Sequence, residues 1–413
     1  MKRAHVVTLE DALFFVVPVR FRISTGIATS SSHYIVVVKR GEEMGVGEGF
    51  GHLHRVMPFL RRHADEVLRS ASKHNFEGLR DMARSGKLRL PMGLEIALLD
   101  LLAKEEGLRA CELMGKPIRG EVRVFRTIPL GRREEMVRTA VRLASRGWGI
   151  KLEIGMGAEA DLRLVRAVRE AIGPDVPIVV DANQVYPPGV ALRLLKRMER
   201  YDLWLIEQPC FRTDLAGLAL LRRALDVPLM LDESIRRIEE LRAAVERGAI
   251  DVLNLKVCRV GGLLRALDML EACVEAGVGI YVGTGRELGI GTSALLHLSA
   301  LVPDGLFYGC EVGWWHFLGF NIIKERLAPD GGLIKVPEGP GLGVTLLEPE
   351  RIYELVRERG GHVLKPERLR LLAFRGALHE LAQRFVSLAS SATKTYYLVG
   401  ELRERVKEAR RGR

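Results

Sequence analysis

Most of the chain alternates two patterns of hydrophobic and polar positions. From about residue 121, short apolar runs rich in Val, Ile and Leu recur, and amphipathic stretches with apolar residues three and four apart separate them. The runs predict buried strands, and the stretches predict helices that cover them. Eight strands are predicted: VRVFRTI, GIKLEI, PIVVDAN, LWLIEQ, PLMLDES, DVLNLKV, VGIYVGT and LFYGCEV. Eight such units in about 190 residues are typical of a parallel β/α barrel.

The first 115 or so residues show a different, α+β pattern. Three β-rich runs are predicted to be strands, at residues 4–8, 12–22 and 34–39. The Ser/Thr-rich segment STGIATSSSH predicts a loop between them, and GEEMGVGEGFG predicts a glycine-punctuated turn after them. Helical spacing then predicts helices over residues 54–73 and 91–106.

These patterns divide the chain into four predicted parts. An N-terminal α+β capping domain is expected over residues 1–118 and the barrel over 119–319. A loop-rich segment at 320–362 is expected to return to the capping domain, and a basic helical extension follows at 363–413.

The positive charge is concentrated at the end of the chain. Residues 365–413 carry 12 Lys and Arg against 5 Asp and Glu, a net +7 out of the +11 of the whole chain. No nucleic-acid-binding motif accompanies this charge, so nucleic-acid contact is disfavoured. The spacing in LRLLAFRGALHELAQRFVSLA favours a docking helix, and a homo-oligomer is expected; a solvated charged helix is the alternative.

Composition bounds the compartment and the source. No stretch approaches about 18 consecutive apolar residues, so no membrane span is expected. The N-terminus lacks the features of a signal peptide, and the five cysteines form no CxxC pair, which favours the reducing cytoplasm. Only seven Asn and Gln occur beside 28% charged residues, which suggests a heat-loving source.

Carboxylates follow three neighbouring predicted strands at corresponding positions. Asp181, Glu207 and Asp232 directly follow the apolar runs IVV, LWLI and LML. Because active sites of β/α barrels lie at the carboxyl ends of the strands, we expect the three to converge. A single acid at such a place more often caps the next helix. Three together would repel one another unless a hard cation bound them, which predicts a Mg²⁺ site, with Mn²⁺ as the alternative.

Lysines accompany these carboxylates. Lys151 and Glu153 lie two residues apart on the second predicted strand and therefore share a face. Lys256 occupies a corresponding place on the sixth strand. Lysines beside a metal indicate chemistry on an anion whose negative charge grows during the reaction. A surface ion pair on an edge strand is the alternative, which a closed barrel disfavours because it has no edge.

In their order and spacing, the motifs resemble the enolase superfamily, specifically the muconate lactonizing enzyme branch of its mandelate racemase/muconate lactonizing enzyme group. The resemblance extends to about residue 350. It comprises GVGEG, ALLDLLAKEEGLRACELMGKP, GWGIKLEIG, VREAIGPDVPIVVDAN, IEQP, LDES, NLKVCRVGG, the pattern GT..E..IGT at 283–292, and DGGLIKVPEGPGLGV. The seventh strand has no histidine, which disfavours the mandelate racemase branch.

The resemblance implies a fold and a metal site. The fold is a modified (β/α)7β TIM-like barrel with an N-terminal α+β capping domain. The implied Mg²⁺ ligands are Asp181, Glu207 and Asp232, and Asn183 and Glu233 are expected to support them.

The resemblance also implies a reaction, the abstraction of a proton α to a substrate carboxylate to give a metal-stabilised enediolate. Lys151 is expected to help neutralise the oxyanion, Lys256 to act as the acid/base, and Glu287 to lie near the substrate carboxylate. Thr25, Arg286 and Glu311 are the expected substrate-binding residues.

Two positions depart from the pattern of the branch. Glu153 stands where the branch has the second lysine of its KxK motif, which disfavours two-base racemisation and leaves a one-base reaction open. A glutamate there either takes part in proton transfer, if burial raises its pKa, or pairs with Lys151. Arg286 stands where an apolar residue is expected, within reach of an anionic substrate.

The sequence therefore predicts a Mg²⁺-dependent isomerase or lyase that acts on a small carboxylate, by cycloisomerisation, epimerisation or syn-elimination. The alternative is a catalytically impaired barrel of the same superfamily that binds a carboxylate or serves as a scaffold, with its basic tail contacting a partner.

Overall fold

A computed structural model describes residues 7–23, 26–51, 53–87 and 89–364, to which all structural statements refer. It begins with an antiparallel sheet and four helices, together called the cap. The strands of the cap are β1 (Thr8–Ile23), β2 (Gly26–Arg40) and β3 (Glu43–Phe50). Its helices are α1 (Leu53–Ala71), α2 (Phe76–Arg84), α3 (Met92–Glu105) and α4 (Ala110–Met114). The two helices predicted in this region are present as α1 and α3.

The predicted Ser/Thr-rich loop was wrong, because its described residues lie in strand β2. Ser31 and His33 are fully buried, while Ser32 between them is only partly buried. This is the period of two that a strand with one buried face requires. Small polar side chains carry the pattern here, so an analysis of apolar residues misses it.

The predicted glycine-punctuated turn was also largely wrong, because most of it forms strand β3. At Gly47 the glycine allows a helix to approach the strand closely, and it does not form a turn. A Cβ there would collide with the carbonyl oxygen of Gly93, at the start of helix α3. The absence of a side chain lets α3 pack directly against the strand.

The predicted eight-stranded barrel is confirmed. Its strands are β4 (Glu121–Ile128), β5 (Gly149–Glu153), β6 (Ile178–Asp181), β7 (Leu203–Glu207), β8 (Leu229–Leu231), β9 (Val252–Lys256), β10 (Gly279–Gly283) and β11 (Phe307–Glu311). Neighbours along the chain pair in parallel, and β11 pairs with β4 to close the barrel. A closed sheet brings the carboxyl ends of all eight strands to one mouth.

Helices follow each of the first seven barrel strands, which gives the (β/α)7β order. They are α5 (Arg133–Ala144), α6 (Ala158–Ile172), α7 (Pro188–Met198), α8 (Leu215–Ala224), α9 (Ile238–Glu246), α10 (Val257–Val260), α11 (Leu263–Glu275) and α12 (Gly289–Ser299). The pair α10 and α11 together follows β9. Short 3-10 turns precede β7 and β11, at Glu199–Tyr201 and Asp304–Leu306.

The remaining elements lead from the barrel back to the cap. They are α13 (Trp315–Leu318), β12 (Leu333–Lys335), α14 (Pro349–Glu358) and β13 (His362–Val363). Strand β12 pairs with β4, and β13 adds a fourth strand to the cap sheet beside β1. Almost all of the predicted basic extension, residues 365–413, lies outside the described residues. Within the described part, no helix is long and apolar enough to cross a membrane.

A layer of apolar side chains fills the barrel beneath its mouth. It consists of Phe125, Val179, Leu205, Met230, Val252 and Tyr281. Side chains two residues apart on a strand share a face, so the next inward positions lie one layer nearer the mouth. Those positions hold Thr127, Asp181, Glu207, Asp232 and Asn254. The apolar layer is thus the floor on which the polar site stands.

Glu95 links the cap to the barrel. It lies in α3, is buried, and accepts a hydrogen bond from the backbone N–H of Leu264 in the first turn of α11. The N–H groups at the start of a helix lack partners within the helix, so the carboxyl group satisfies one of them. Burial raises the pKa of Glu95 from its ordinary 4.5 to about 7, although the hydrogen bond from Leu264 opposes the shift.

We expect Glu95→Gln to remove a pH-dependent part of the stability. Because its pKa is higher in the folded state, Glu95 contributes stability that is full below pH 4.5 and is lost as the pH rises to about 7. The shift corresponds to about 3 kcal/mol. Denaturant unfolding of both proteins at pH 4.5 and at about pH 8 measures this contribution. The free energy of unfolding of the wild type, relative to the variant, should fall by about that amount; a pH-independent difference would contradict the expectation.

Candidate active site

Four carboxylates lie together at the mouth of the barrel. Glu153 is the register partner of Asp181, and Asp181 is the register partner of Glu207. Asp232 directly follows β8. All four are buried. Parallel pairing in register therefore places carboxylates side by side on adjacent strands.

Lys151 supplies a positive charge among them. Its Nζ lies 3.0 Å from Asp181 Oδ2 and 2.8 Å from Glu207 Oε2. It also lies 3.3 Å from Glu311 Oε2, across the closure of the barrel. Burial lowers the pKa of Lys151, but the attraction of Glu207, Glu311 and Asp181 prevails and raises it well above the ordinary value. Lys151 is therefore a fixed ammonium group.

Glu153 has a different partner, although it shares the face of Lys151. Its Oε2 accepts a hydrogen bond of 2.6 Å from Asn183 Nδ2. Asn183 has a positive φ of 46°, a conformation that asparagine tolerates better than most residues, and its backbone N–H donates to Asp181 Oδ1. Burial and the repulsion of Asp181 raise the pKa of Glu153 well above its ordinary value, although Lys151 opposes the shift.

Asp232 lies against two cations. Its Oδ2 is 3.0 Å from Lys256 Nζ, and its Oδ1 is 3.0 Å from Arg259 Nε. Burial raises the pKa of Asp232, but Lys256 and Arg259 outweigh burial and lower it. Burial likewise lowers the pKa of Lys256, and Asp232 outweighs this and raises it. The side chain of Lys256 remains 14% exposed, against 3% for that of Lys151.

Glu207 and Glu233 complete the acidic cluster. Glu207 Oε1 accepts a hydrogen bond of 2.6 Å from Asn254 Nδ2, and burial with the repulsion of Asp181 raises the pKa of Glu207 to about 8. Burial and the repulsion of Asp232 raise the pKa of Glu233 to about 7.

Most of these groups line a cavity of about 840 Å³ between the barrel mouth and the cap. Its polar lining consists of Thr127, Lys151, Glu153, Asp181, Asn183, Asp232, Glu233, Arg236, Lys256, Arg259, Thr284, Arg286 and Glu311. Phe21, Ile27, Val312, Trp314 and Phe317 form an apolar side. The structure thus brings most of the predicted site residues to one cavity.

Two of the predicted residues that the structure describes are not among those that line the cavity: Glu207 and Glu287. Glu207 is fully buried behind the lining residues and forms an ion pair with one of them, Lys151. Glu287 is also buried, and its Oε2 accepts hydrogen bonds from Thr284 Oγ1 at 2.5 Å and from the backbone N–H of Gly285 at 2.7 Å. Its carboxylate is thereby directed into its own loop. Thr25 lies outside the described residues.

Several side chains that hold the site together were not predicted from the sequence. Arg259 pairs with Asp232, Asn254 donates to Glu207, and Thr127 donates to Glu311. Asn254 and Thr127 lie two residues beyond floor positions, so the strand alternation is a signal that could have found them. Arg259 lies in α10, where no such period applies.

The donor set has the chemistry of a divalent-cation site. Glu207 Oε2, Asp232 Oδ1 and Glu233 Oε2 are buried and accept no hydrogen bond. The first two lie instead against cations, Lys151 and Arg259. Among the described residues, no three His, Cys, Asp or Glu side chains are arranged as a ready metal site. Carboxylate oxygens without donors are the ligands that hard cations prefer, so the residues fit Mg²⁺.

A buried polar chain connects the cap to the cavity wall. Trp314 Nε1 donates to Ser31 Oγ at 3.1 Å, and Ser31 Oγ lies 2.7 Å from His33 Nε2. His33 Nδ1 is 3.7 Å from Glu48 Oε1, and Glu48 accepts from the backbone N–H of Leu288 at 2.6 Å. The cap therefore fixes the position of an aromatic ring in the barrel cavity.

Comparison with known proteins agrees with this architecture. A family model described as enolase C-terminal domain-like matches residues 135–350. Chloromuconate cycloisomerase of Pseudomonas sp. (strain P51) is 28% identical over 348 residues, 80% of this chain and 94% of that relative. N-succinylamino acid racemase of Thermus thermophilus is 33% identical over 356 residues, 80% of this chain and 92% of that relative.

A solved structure gives the same result for the fold. The dipeptide epimerase from Enterococcus faecalis V583, complexed with Mg and the dipeptide L-Leu-L-Tyr, has a TM-score of 0.71 and 25% identity. The similarity covers 83% of this chain and 99% of that one. The capped barrel and the acidic strand ends agree with these similarities. The chain therefore belongs to the enolase superfamily, in its mandelate racemase/muconate lactonizing enzyme group.

Proposed function

We propose that the protein is a Mg²⁺-dependent isomerase or lyase that removes a proton α to the carboxylate of a small substrate, with Lys256 as the base. One observation carries the proposal: Lys256 lines the cavity, is partly exposed and contacts one carboxylate, whereas Lys151 is enclosed by three. A base must reach the proton that it removes. Lys256 satisfies that requirement better than Lys151 does.

Asp181, Glu207 and Asp232 are the residues that would hold Mg²⁺, with Mn²⁺ as the alternative. When bound, the metal supplies positive charge to the enediolate. Support comes from two oxygens of this set without hydrogen-bond donors, Glu207 Oε2 and Asp232 Oδ1, and from the Mg-containing dipeptide epimerase structure. Asn183 and Asn254 orient the neighbouring carboxylates through their side-chain amides.

Lys151 acts as a charge and not as a base in this proposal. Its ammonium group is enclosed by the carboxylates of Asp181, Glu207 and Glu311, which hold it in place away from a substrate proton. A fixed positive charge at this place stabilises negative charge that develops on the substrate carboxylate.

A one-base reaction, an elimination or a cycloisomerisation, follows from this assignment. Epimerisation is the second candidate, because it needs a second proton-transfer group and Glu153 also lines the cavity. Burial raises the pKa of Glu153, and a protonated carboxyl group can return a proton to carbon. The chain's similarity to an epimerase and a racemase is compatible with this candidate.

Solvent exchange at the α-carbon tests the proposal. The full chain is incubated in D₂O with Mg²⁺ and a panel of carboxylates: N-acyl amino acids, dipeptides, muconates and sugar acids. We expect deuterium to enter the α-position of at least one class and EDTA to stop its entry. Intact Mg²⁺ binding without exchange in any class would favour instead the impaired, carboxylate-binding alternative. The homo-oligomer and the cytoplasmic location remain predictions.

A further inference from the structure

Arg286 is a cavity-lining cation without a carboxylate partner among the described residues. It lies in the loop after β10, and its Nη1 is 3.5 Å from the backbone oxygen of Ser30, at the limit of a hydrogen bond. Its Cζ lies 5.7 Å from the centre of the Trp314 ring. By contrast, Lys151, Lys256 and Arg259 lie within 3.3 Å of carboxylate oxygens.

This guanidinium group is also removed from bulk water. Arg236 lines the same cavity but is exposed, so water can solvate its charge, whereas Arg286 is half-buried. Removing an unpaired charge from water costs free energy unless a partner compensates for it. Burial lowers the pKa of Arg286, because removal from water disfavours the charged form of the guanidinium group.

The surroundings of Arg286 form a fixed aromatic wall. Trp314 is held by Ser31 of the cap. Phe21 packs against Trp314 with ring centres 5.3 Å apart, and against Phe317 at 5.0 Å. A rigid wall with one unpaired guanidinium group suits an apolar moiety that ends in an anion.

We propose that Arg286 and this wall form a subsite for a second carboxylate of the substrate, separate from the carboxylate held at the acidic cluster. The substrate is then a dicarboxylate whose two acid groups are joined by an apolar spacer. A planar guanidinium group with several donors matches a carboxylate in two-point geometry. The inference rests on the proposed function, because that function places the first carboxylate beside Lys151.

Matched probes test the subsite by binding. Three N-succinyl amino acids with apolar side chains are each compared with the succinamoyl analogue, in which a neutral amide replaces the distal carboxylate. Calorimetry measures the dissociation constants in Mg²⁺ with the Lys256→Ala variant, which cannot turn the probes over by the proposed route. We expect the diacid to bind about 10–100-fold more tightly than the amide, the effect of one charge-assisted contact.

Arg286→Met in the same background should reduce that preference to within about threefold. Arg126→Met is the matched control, because Arg126 also stacks on an aromatic ring, with its Cζ 5.7 Å from the centre of Phe317, but does not line the cavity. The preference should persist in this control. A preference that survives Arg286→Met, that is lost equally in the control, or that is absent for all three pairs would overturn the subsite.

Exchange measurements separate this inference from the proposed function. If the diacid preference depends on Arg286 but the wild type catalyses no α-exchange with any carboxylate, the subsite stands and the proposed function fails. If exchange occurs and diacids are not preferred, the function stands and the subsite fails.

Discussion

Replacement of Lys256 by alanine is expected to lower the rate of α-deuterium exchange by about 10²–10⁴-fold, the usual contribution of a general base. Lys256 is the partly exposed lysine of the cavity, and the other, Lys151, is enclosed by carboxylates. Mg²⁺ affinity should change little, because Asp232 keeps its second partner, Arg259. Mass spectrometry of the substrate and calorimetric Mg²⁺ titration measure the two quantities.

Lys256→Arg distinguishes a base from a charge. Arginine retains the positive charge beside Asp232 but cannot lose a proton near neutral pH. We therefore expect it to be about as inactive as alanine. Lys104→Ala is a control for the loss of a lysine ion pair outside the cavity, since Lys104 pairs with Asp100 at 2.7 Å. An active Lys256→Arg variant would mean that residue 256 acts only through its charge.

Glu207→Gln is expected to remove the metal and the activity without lowering stability. Changes in residues that merely support metal ligands cost about 10–100-fold in affinity, so loss of a ligand should weaken Mg²⁺ binding by about 100-fold or more. Burial and the repulsion of Asp181 raise the pKa of Glu207 to about 8, so a neutral amide relieves a buried repulsion. Lys151 keeps contacts with Asp181 and Glu311.

Thermal unfolding and Mg²⁺ titration test both parts of this expectation. In the presence of EDTA, the unfolding temperature of Glu207→Gln should equal or exceed that of the wild type. Residues that serve function at the expense of stability behave in this way. Asp161→Asn is a suitable control, because Asp161 is a buried carboxylate that accepts from the backbone N–H of Gly155 at 2.7 Å, away from the cavity lining. It should lower stability and leave Mg²⁺ affinity intact.

The barrel could be predicted from the sequence because several of its strands combine two strong local signals. An apolar run such as IVV or LML is followed at once by an acid, Asp181 or Asp232. The apolar run indicates a buried strand. The acid indicates the carboxyl end of that strand, at the mouth of the barrel, where parallel strands end together. Both signals depend on residues close in sequence, so no knowledge of distant contacts is needed.

The cap was harder to predict because its strands do not use apolar side chains throughout. Ser31 and His33 are buried in β2 through polar contacts with Trp314 and Glu48, which lie far away in sequence. Gly47 is needed for the approach of helix α3, a tertiary reason that resembles a turn signal locally. Only the packed structure distinguishes these cases.

Positions in the site were easier to predict than the directions of the side chains. Glu287 directly follows residues that line the cavity, Thr284 to Arg286. Hydrogen bonds from Thr284 and Gly285 nevertheless direct its carboxylate into its own loop. Glu153 shares a strand face with Lys151, as strand geometry predicts, yet it accepts a hydrogen bond from Asn183. Register fixes which residues become neighbours, and local competition for donors decides how they pair.

The most direct test of Lys256 as the single base is exchange measured on the two pure enantiomers of one substrate. Each pure enantiomer of the best substrate from the panel is incubated separately in D₂O with Mg²⁺, and α-deuterium and optical purity are followed in the recovered substrate. A single base at residue 256 predicts that deuterium enters one enantiomer, that the other remains unlabelled, and that neither racemises. Labelling of both enantiomers with concurrent racemisation would reveal a second proton-transfer group, and would contradict the assignment.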